Sequence, residues 1–328
     1  MTEPNQSNHV TIDIDDFYET TLQPIGYHVE RLREKLIQFK DGVATYKYGL
    51  SALDEIQSLV SGELTVIAAR SGRGKTALGM QAVYHVADQV VATEPDGQVA
   101  IFSAEMEGWS LALREACKRA GVPYTSVRHS NVHPADEALV LKYAAELERL
   151  YGRCISIDQS SAPTLEHMTE QLIAQQELGP IRFVMFDYTE LAGEFARQES
   201  ERVRKITRGL KAIAKKFDCP VMAISQMNRD IERRANKTPT MADLMNGGEQ
   251  DPDNIIGLTW ADDDDFVGGD IPRVVNVHIL KARHGQSGIT RTVGFIGDRM
   301  EFIDLVREYL DEPPEEYTSE ISEYFDKL

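Results

Sequence analysis

The chain has 328 residues, of which 42% are hydrophobic, so it can bury a sizeable core, and wholesale disorder is excluded. The net charge is −18, but residues 1–22, 261–270 and 311–328 carry −16 of it, which leaves the rest of the chain near neutral. The overall charge therefore does not exclude a basic channel through the protein.

The cysteines and the first residues indicate the compartment. Cys117, Cys154 and Cys219 form no CxxC pair, which favours buried thiols in a reducing compartment over a disulfide framework or a zinc site. No secretory signal is visible, and no apolar run approaches the ~20 residues of a membrane span. We therefore expect a cytoplasmic protein with no membrane association.

Strand-like and helix-like segments alternate along most of the chain. After a polar, acidic start, residues 27–39 (YHVERLREKLIQF) have apolar residues at helical spacing and predict an amphipathic helix. The predicted strands that follow are residues 64–69, 99–103, 154–158, 183–187 and 220–225. The predicted helices between them are residues 76–87, 109–120, 165–176 and 201–216.

These segments define the fold class. Continuous apolar strands joined by helices predict an α/β fold, with a mostly parallel central sheet flanked by helices on both faces. After residue 254 the chain becomes strand-rich, with the stretches NIIGLTW, VVNVHILK and TRTVGFIG. We expect these stretches to form a β-rich C-terminal edge of the sheet.

Residues 64–80 (LTVIAARSGRGKTALGM) have the pattern of a phosphate-binding loop between a strand and a helix. In the motif G-x-x-x-x-G-K-[ST], backbone N–H groups hold phosphates, the lysine contacts the β- and γ-oxygens and the hydroxyl ligates Mg²⁺. Ala69 replaces the first glycine, whereas Gly74, Lys75 and Thr76 match. A surface turn is the alternative, but the strand–turn–helix context favours ATP binding. The predicted cofactor-binding residues are Ser71, Gly72, Arg73, Gly74, Lys75 and Thr76.

A second element of the site follows another apolar strand. In FVMFDY, four apolar residues precede Asp187, a position suited to holding Mg²⁺ together with Thr76, partly through water. The alternative is an ordinary strand followed by a turn. The preceding phosphate loop in the same alternating pattern favours the metal site.

Together these motifs resemble the C-terminal motor domain of the DnaB-like replicative helicases, which belong to the RecA-like P-loop NTPases. The resemblance covers most of residues 48–302, and the similar stretches occur in the family order. They are AARSGRGKTALGMQAV, VAIFSAEME, FVMFDYTEL, VMAISQMNR and ILKARHGQSG.

The resemblance implies a catalytic role for four further residues. Glu105 is the general base that polarises the attacking water, although a surface or capping glutamate is the alternative. Gln226 senses the γ-phosphate, or is a strand-end amide bonded to backbone. Lys281 and Arg283 reach into the neighbouring subunit's site as cationic fingers. Their spacing places both side chains on one strand face, which an exposed basic strand edge would also show.

A finger supplied by a neighbour implies a homo-oligomeric ring, which in this family is a hexamer with a linker helix docked on the next subunit. The expected organisation is a flexible segment (residues 1–26), a linker helix and connection (27–47), the motor domain (48–310) and an acidic tail (311–328). The apolar stripe of the linker helix could equally pack on its own domain.

Three departures from the family concern partners and DNA. About 26 residues precede the linker helix, too few for the family's N-terminal domain, which engages primase, so we expect a stand-alone motor. The DNA-gripping loop DLMNGGEQDPD is short and has Met245 where an arginine is typical. The other channel loop, around GEFARQESERVRK, is also short, and the basic run RDIERRANK is another candidate contact. The predicted DNA-binding residues are Arg197, Arg202, Arg204, Asn246, Gly247 and Gly248.

Two functional hypotheses follow. The first is a ring-shaped ATPase that moves 5′→3′ along single-stranded DNA and separates strands, with replication, repair or mobile-element proteins as partners. The second is a RecA-like ATPase that acts as a regulatory or assembly switch on a protein partner. An inactive structural relative is disfavoured, because it has no reason to retain Lys75 and Glu105. The acidic tails are expected to be solvated; DNA mimicry or capture of a basic partner is the alternative.

Overall fold

The computed structural model describes residues 25–42, 44–196, 198–234, 236–244, 248–261 and 271–305. Its helices are α1 (Ile25–Lys40), α2 (Ser51–Asp54), α3 (Lys75–Thr93), α4 (Gly108–Ala120), α5 (Tyr124–Arg128), α6 (Pro134–Tyr151), α7 (Leu165–Gln176) and α8 (Glu199–Phe217). Its strands are β1 (Thr45–Tyr46), β2 (Leu59–Val60), β3 (Leu64–Ala69), β4 (Gln98–Ser103), β5 (Ile155–Asp158), β6 (Ile181–Asp187), β7 (Val221–Gln226), β8 (Asn254–Trp260), β9 (Arg273–Ala282), β10 (Ile289–Ile296) and β11 (Glu301–Asp304).

A nine-stranded sheet in the order β11-β10-β9-β8-β3-β7-β6-β4-β5 forms the centre of the molecule. The strands from β8 to β5 in this order run parallel, and β9, β10 and β11 add antiparallel pairs at one edge. A small antiparallel pair, β1 and β2, lies outside it. The predicted fold class, a mostly parallel sheet with a β-rich C-terminal edge, is confirmed.

Two hydrophobic cores cover the two faces of the sheet. In β3, Ile67 and Ala69 face the core that contains α3, α4 and α6, whereas Leu64, Val66 and Ala68 face the core that contains α7 and α8. This alternation follows the two-residue period of a strand, and because both faces are buried the strand reads as a continuous apolar run.

The N-terminal helix α1 contrasts with this packing, because none of its residues is buried. It contacts the body through Asp218, which lies 2.6 Å from the Lys35 ammonium and 3.8 Å from the Arg31 guanidinium. Its large apolar residues are 40–79% exposed, and Leu32 and Leu36 are both more than half exposed. Most of the predicted segment 1–26, and the predicted tail 311–328, lie outside the described residues.

The cysteines agree with the prediction from the sequence. All three cysteines are free and buried, as expected. In the described part of the chain, no helix combines the length and the apolar character that crossing a bilayer requires.

Candidate active site

The site lies at the carboxyl edge of the parallel strands. β3, β7, β6 and β4 are neighbours in the sheet, and the loop of residues 70–74, Gln226, Asp187 and Glu105 lie at or just beyond their carboxyl ends. Parallel strands bring their carboxyl ends to one edge, where ligands of open α/β sheets bind. Four predicted elements, separated by up to about 150 residues of sequence, therefore meet.

The loop before α3 has the backbone form of a phosphate cradle. Gly72 and Gly74 have φ of 73° and 82°, conformations that favour glycine. A Cβ on Gly74 would lie 2.8 Å from Cζ of Phe302, so this position also has no room for a side chain. α3 begins at Lys75, and its free N–H groups and dipole favour an anion at this end.

Lys75 points into the same region. Its ammonium donates to the Arg70 carbonyl at 3.2 Å. Burial lowers the pKa of Lys75, while the carboxylates of Asp187, Glu190 and Glu105 act in the opposite direction. A partly buried cation of this kind can bind an anionic ligand. A positive ion bound together with that ligand would offset the charge of the surrounding carboxylates.

Asp187 and Thr76 form the part of the site that could hold a metal. The Thr76 hydroxyl donates to Oδ2 of Asp187 at 2.8 Å, while Oδ1 of Asp187 is buried without a hydrogen-bond partner. Burial raises the pKa of Asp187 to about 6, and the Glu105 carboxylate adds to this effect. An orphaned carboxylate oxygen beside a hydroxyl fits Mg²⁺, which proteins bind with few carboxylates together with substrate phosphates. The described residues contain no cluster of three His, Cys, Asp or Glu side chains, the usual sign of an all-protein metal cage.

These groups line one cavity of about 380 Å³. Lys75, Thr76, Glu105, Asp187 and Gln226 form its polar part, and its other walls are Trp260, Phe295, Gly297 and Met300. The volume and the combination of polar and aromatic walls suit a nucleotide-sized ligand.

Two lining or supporting residues could not be found from sequence patterns. The Glu190 carboxylate accepts from the Gln226 backbone N–H and from the Ser225 hydroxyl, each at 2.9 Å, and so fixes the end of β7. Arg114 of α4 also lines the cavity, and its charge acts on Asp187. Glu190 acts on a strand about 35 residues away in sequence, and a helical arginine such as Arg114 carries no local signal.

Lys281 and Arg283 lie at the opposite edge of the sheet. Ala282, between them, pairs with Asn254, which pairs with Thr65 near the amino end of β3. At about 3.3 Å per residue, β3 puts about 17 Å between that end and the phosphate loop. These cations therefore stand away from the cavity of their own chain.

Within the chain, both cations contact residues 249–253. The Lys281 ammonium donates to the carbonyls of Glu249 and Gln250 at 3.0 Å, and the Arg283 guanidinium lies 2.7 Å from Asp253. Burial, and then the Arg283 charge, lower the pKa of Lys281. The sequence predicted both side chains on one strand face, but Arg283 lies one residue beyond the end of β9. Both side chains nevertheless contact the segment 249–253.

The predicted DNA-binding residues are described only in part, since Arg197, Asn246 and Gly247 lie outside the described residues. Arg204 is exposed on α8, Gly248 is buried, and Arg202 donates to the Glu190 carbonyl at 2.8 Å. Asp251 of one predicted channel segment contacts Thr207 and Arg208 of α8 at 3.5 and 4.0 Å, just beyond the other predicted segment, residues 193–205. Their DNA contacts stay a prediction.

A phosphate loop after a buried strand, with an acid and an amide at the ends of neighbouring parallel strands, defines a P-loop nucleotide-binding domain with the RecA-like fold. The sequence model of the DnaB-like helicase C-terminal domain family matches residues 42–304. The chain belongs to this family, which confirms the resemblance inferred from the motifs.

Individual relatives agree with this assignment. The chain is 28% identical over 282 residues to the replicative DNA helicase DnaB of Geobacillus stearothermophilus, covering 84% of this chain and 60% of the relative. It is 31% identical over 303 residues to the replicative DNA helicase DnaB of Leifsonia xyli subsp. xyli, covering 90% and 63%. The chain thus spans about three fifths of the length of the curated relatives it matches.

Solved structures support the fold. One of them, an isolated ATPase domain, superposes with a TM-score of 0.72 at 22% identity, covering 86% of this chain and 99% of that domain. A DnaB-like replicative helicase, solved in a study of its interactions with primase, gives a TM-score of 0.70 at 23% identity, covering 84% and 66%.

Proposed function

We propose that this protein is an ATP-dependent DNA helicase motor that forms a ring, a hexamer by family resemblance, with ATP bound between adjacent subunits. The observation that carries the proposal is the separation of two half-sites. The phosphate loop, Glu105 and Asp187 lie at the carboxyl edge of the sheet, and Lys281 and Arg283 lie about 17 Å away at the other end of β3. Only a neighbouring copy can bring such cations to the nucleotide.

In the proposed mechanism each chain supplies the binding half of a site. The loop N–H groups and the Lys75 ammonium bind the phosphates, and the Thr76 hydroxyl and Oδ1 of Asp187 would hold Mg²⁺. The bound metal would neutralise charge on the β- and γ-phosphates. Glu105, exposed at the cavity rim, orients the attacking water and accepts its proton, and Gln226 contacts the γ-phosphate.

The neighbouring chain supplies the cationic half. Charge on the equatorial oxygens in the transition state of phosphoryl transfer is stabilised by positioned cations. Lys281 and Arg283 fill this role in trans. The requirement for a partner couples hydrolysis at one site to the arrangement of the next subunit.

Single-stranded DNA is the proposed track, followed in the 5′→3′ direction. Residues 248–253 contact the middle of α8, whose first turns belong to the other predicted channel segment, and this supports one contact surface for phosphates. We further propose residues 27–47 as the linker that docks on the next subunit, residues 48–310 as the motor, and a cytoplasmic location. Replication, repair or mobile-element proteins are the proposed partners.

One observation supports the alternative hypothesis, in which the ATPase acts as a switch on a protein partner. Arg202 and Lys205 donate to the carbonyls of Glu190 and Phe195 in their own chain, so two cations of the channel segment are already used internally. A motor with few free cations in its channel would bind DNA weakly, since phosphate neutralisation dominates such affinity. ATP turnover indifferent to DNA would then serve a protein partner.

Steady-state ATP hydrolysis with and without single-stranded DNA separates the two functions. For the motor we expect DNA to stimulate turnover and added salt to weaken the stimulation. Lys75→Ala should remove turnover, whereas Lys215→Ala, an exposed lysine on α8, should leave it unchanged. Brisk hydrolysis by the unmodified protein that DNA does not alter would favour the switch and contradict the motor.

A further inference from the structure

We propose that Asp253 is a positioning residue for Arg283 and orients in each chain the guanidinium that completes the neighbouring chain's site. The proposal rests on the proposed function. Asp253 immediately precedes β8 and is fully buried, with 0% of its surface exposed. A buried carboxylate is costly unless it is paired, so its partners indicate its role.

The two carboxylate oxygens have different partners. Oδ2 accepts from the Leu64 backbone N–H at 2.9 Å and from the Lys211 ammonium at 2.6 Å. Oδ1 lies 2.7 Å from Nη1 of Arg283, in an ion pair whose hydrogen-bond alignment is incomplete. One oxygen thus anchors Asp253 to β3 and α8, and the other is left for Arg283.

Backbone hydrogen bonds also connect Asp253 to Leu64 and to Arg283. The Asp253 N–H donates to the Leu64 carbonyl at 2.9 Å, and the Arg283 N–H donates to the Asp253 carbonyl at 3.0 Å. Arg283 is therefore held at its main chain and at its side chain by the same residue. That residue is in turn bound to the first residue of β3, the strand that ends at the phosphate loop.

The exposure of the three side chains fits a positioning role. Lys211 is 11% exposed and also donates to the Gly62 carbonyl, so its contacts are structural. Arg283 is 49% exposed, and a guanidinium has five N–H donors, so one edge can rest on Asp253 while others face outward. Fixing a long side chain before the substrate arrives lowers the entropic cost of using it in the transition state.

Asp253→Asn keeps the side-chain size and removes the charge that attracts Arg283. We expect kcat for ATP hydrolysis to fall about 10- to 100-fold while KM changes little, because a misplaced catalytic group can cost about 10²-fold. Glu94→Gln is the matched control, because the Glu94 carboxylate also pairs with an arginine, Arg182 at 2.8 Å, but neither residue belongs to a proposed half-site. That variant should hydrolyse ATP at nearly the normal rate.

A mixing experiment separates positioning from a structural role. Asp253→Asn chains retain an intact phosphate site, and Lys75→Ala chains retain Asp253 and Arg283. If Asp253 acts through the neighbour's site, an equimolar mixture should hydrolyse ATP faster than the average of the two variants measured alone. A rate no higher than that average would overturn the proposal. If Asp253→Asn melts below the assay temperature, Asp253→Glu, which displaces the carboxylate by one methylene, replaces it in the mixture with the same two outcomes.

Arg283→Ala mixed with Lys75→Ala runs alongside and tests the trans arrangement itself. If this mixture recovers activity and the Asp253 mixture does not, the positioning role is wrong and the proposed function stands. If neither mixture recovers, the trans arrangement fails and the positioning role fails with it.

Discussion

At the scale of single residues, Asp187 shows that the site is built at a cost to the unliganded fold. Burial is the main reason that its pKa rises from 3.8 to about 6, and Thr76 and Lys75 offset this only in part. A unit of pKa corresponds to about 1.4 kcal/mol, so the ionised side chain costs the folded protein about 3 kcal/mol at neutral pH. A cation at the orphaned Oδ1 would offset this cost.

Asp187→Asn should therefore stabilise the nucleotide-free protein while removing ATP turnover. The folded pKa lies above the unfolded value of 3.8, so the cost is absent below about pH 4, grows as pH rises to about 6 and is constant above it. We expect the variant to exceed the parent protein by about 1–3 kcal/mol in unfolding free energy at pH 7.5, and by less at pH 5. Urea unfolding in a chelating buffer measures both values.

Asp158→Asn is a control for which we expect the change in unfolding free energy to have the opposite sign. Burial raises the pKa of Asp158, but hydrogen bonds from Ser160 and His167 outweigh this effect and lower the pKa below its ordinary value. Its ionised form is stabilised by the fold, so the asparagine variant should be less stable than the parent at pH 7.5. If Asp187→Asn also proves less stable there, the argument about Asp187 is wrong.

At the scale of elements, α1 is a helix that packs little against the rest of its own chain. None of its residues is buried, and Leu32 and Leu36 are 54% and 58% exposed. An exposed apolar stripe of this kind marks an interaction surface. The proposed occupant is the next subunit of the ring.

Leu32→Ser combined with Leu36→Ser should weaken assembly without weakening the fold. Because the two side chains bury little in the single chain, the melting temperature of the dissociated protein should stay nearly unchanged. The assembled mass, measured by light scattering, should fall. Arg33→Ser with Glu34→Ser changes the same helix at exposed polar positions and should affect neither property. A lower melting temperature with unchanged mass would instead mean that α1 packs on its own body.

The elements also show what sequence could and could not predict. β3, with a buried residue at every position, was predictable to its ends, and so was α7. α6 was not, because Val140, Leu147 and Tyr151 are its only buried residues among many exposed ones. β11 has four residues, too short for a periodic signal, although its Phe302 packs against Gly74 of the phosphate loop.

The same limit applies to the site. Lys75, Thr76 and Asp187 stand in motifs whose spacing carries the chemistry, so their identity was predictable and their meeting at one sheet edge followed from parallel strands. Asp253 and Glu190 act by contacts between segments distant in sequence, and no local pattern reports such contacts.

At the scale of the whole molecule, sheet topology places the two proposed half-sites at opposite ends of the parallel strands. Parallel strands gather the phosphate loop and its acids at their carboxyl ends. The antiparallel strand β9 ends beside the start of β8, which pairs with the start of β3, so Lys281 and Arg283 lie at that end of the parallel strands. A single chain therefore holds the two proposed half-sites apart, and adjacent copies would complete them in the proposed ring.

The proposed function requires that ATP is hydrolysed only between adjacent copies of this chain. The most direct test is the hydrolysis rate per chain over a dilution series, with the assembled mass measured by light scattering in the same Mg²⁺–ATP buffer. We expect a multi-copy assembly at high concentration, and a hydrolysis rate per chain that falls as dilution dissociates the assembly. A protein that remains monomeric throughout and hydrolyses ATP at an undiminished rate would contradict it.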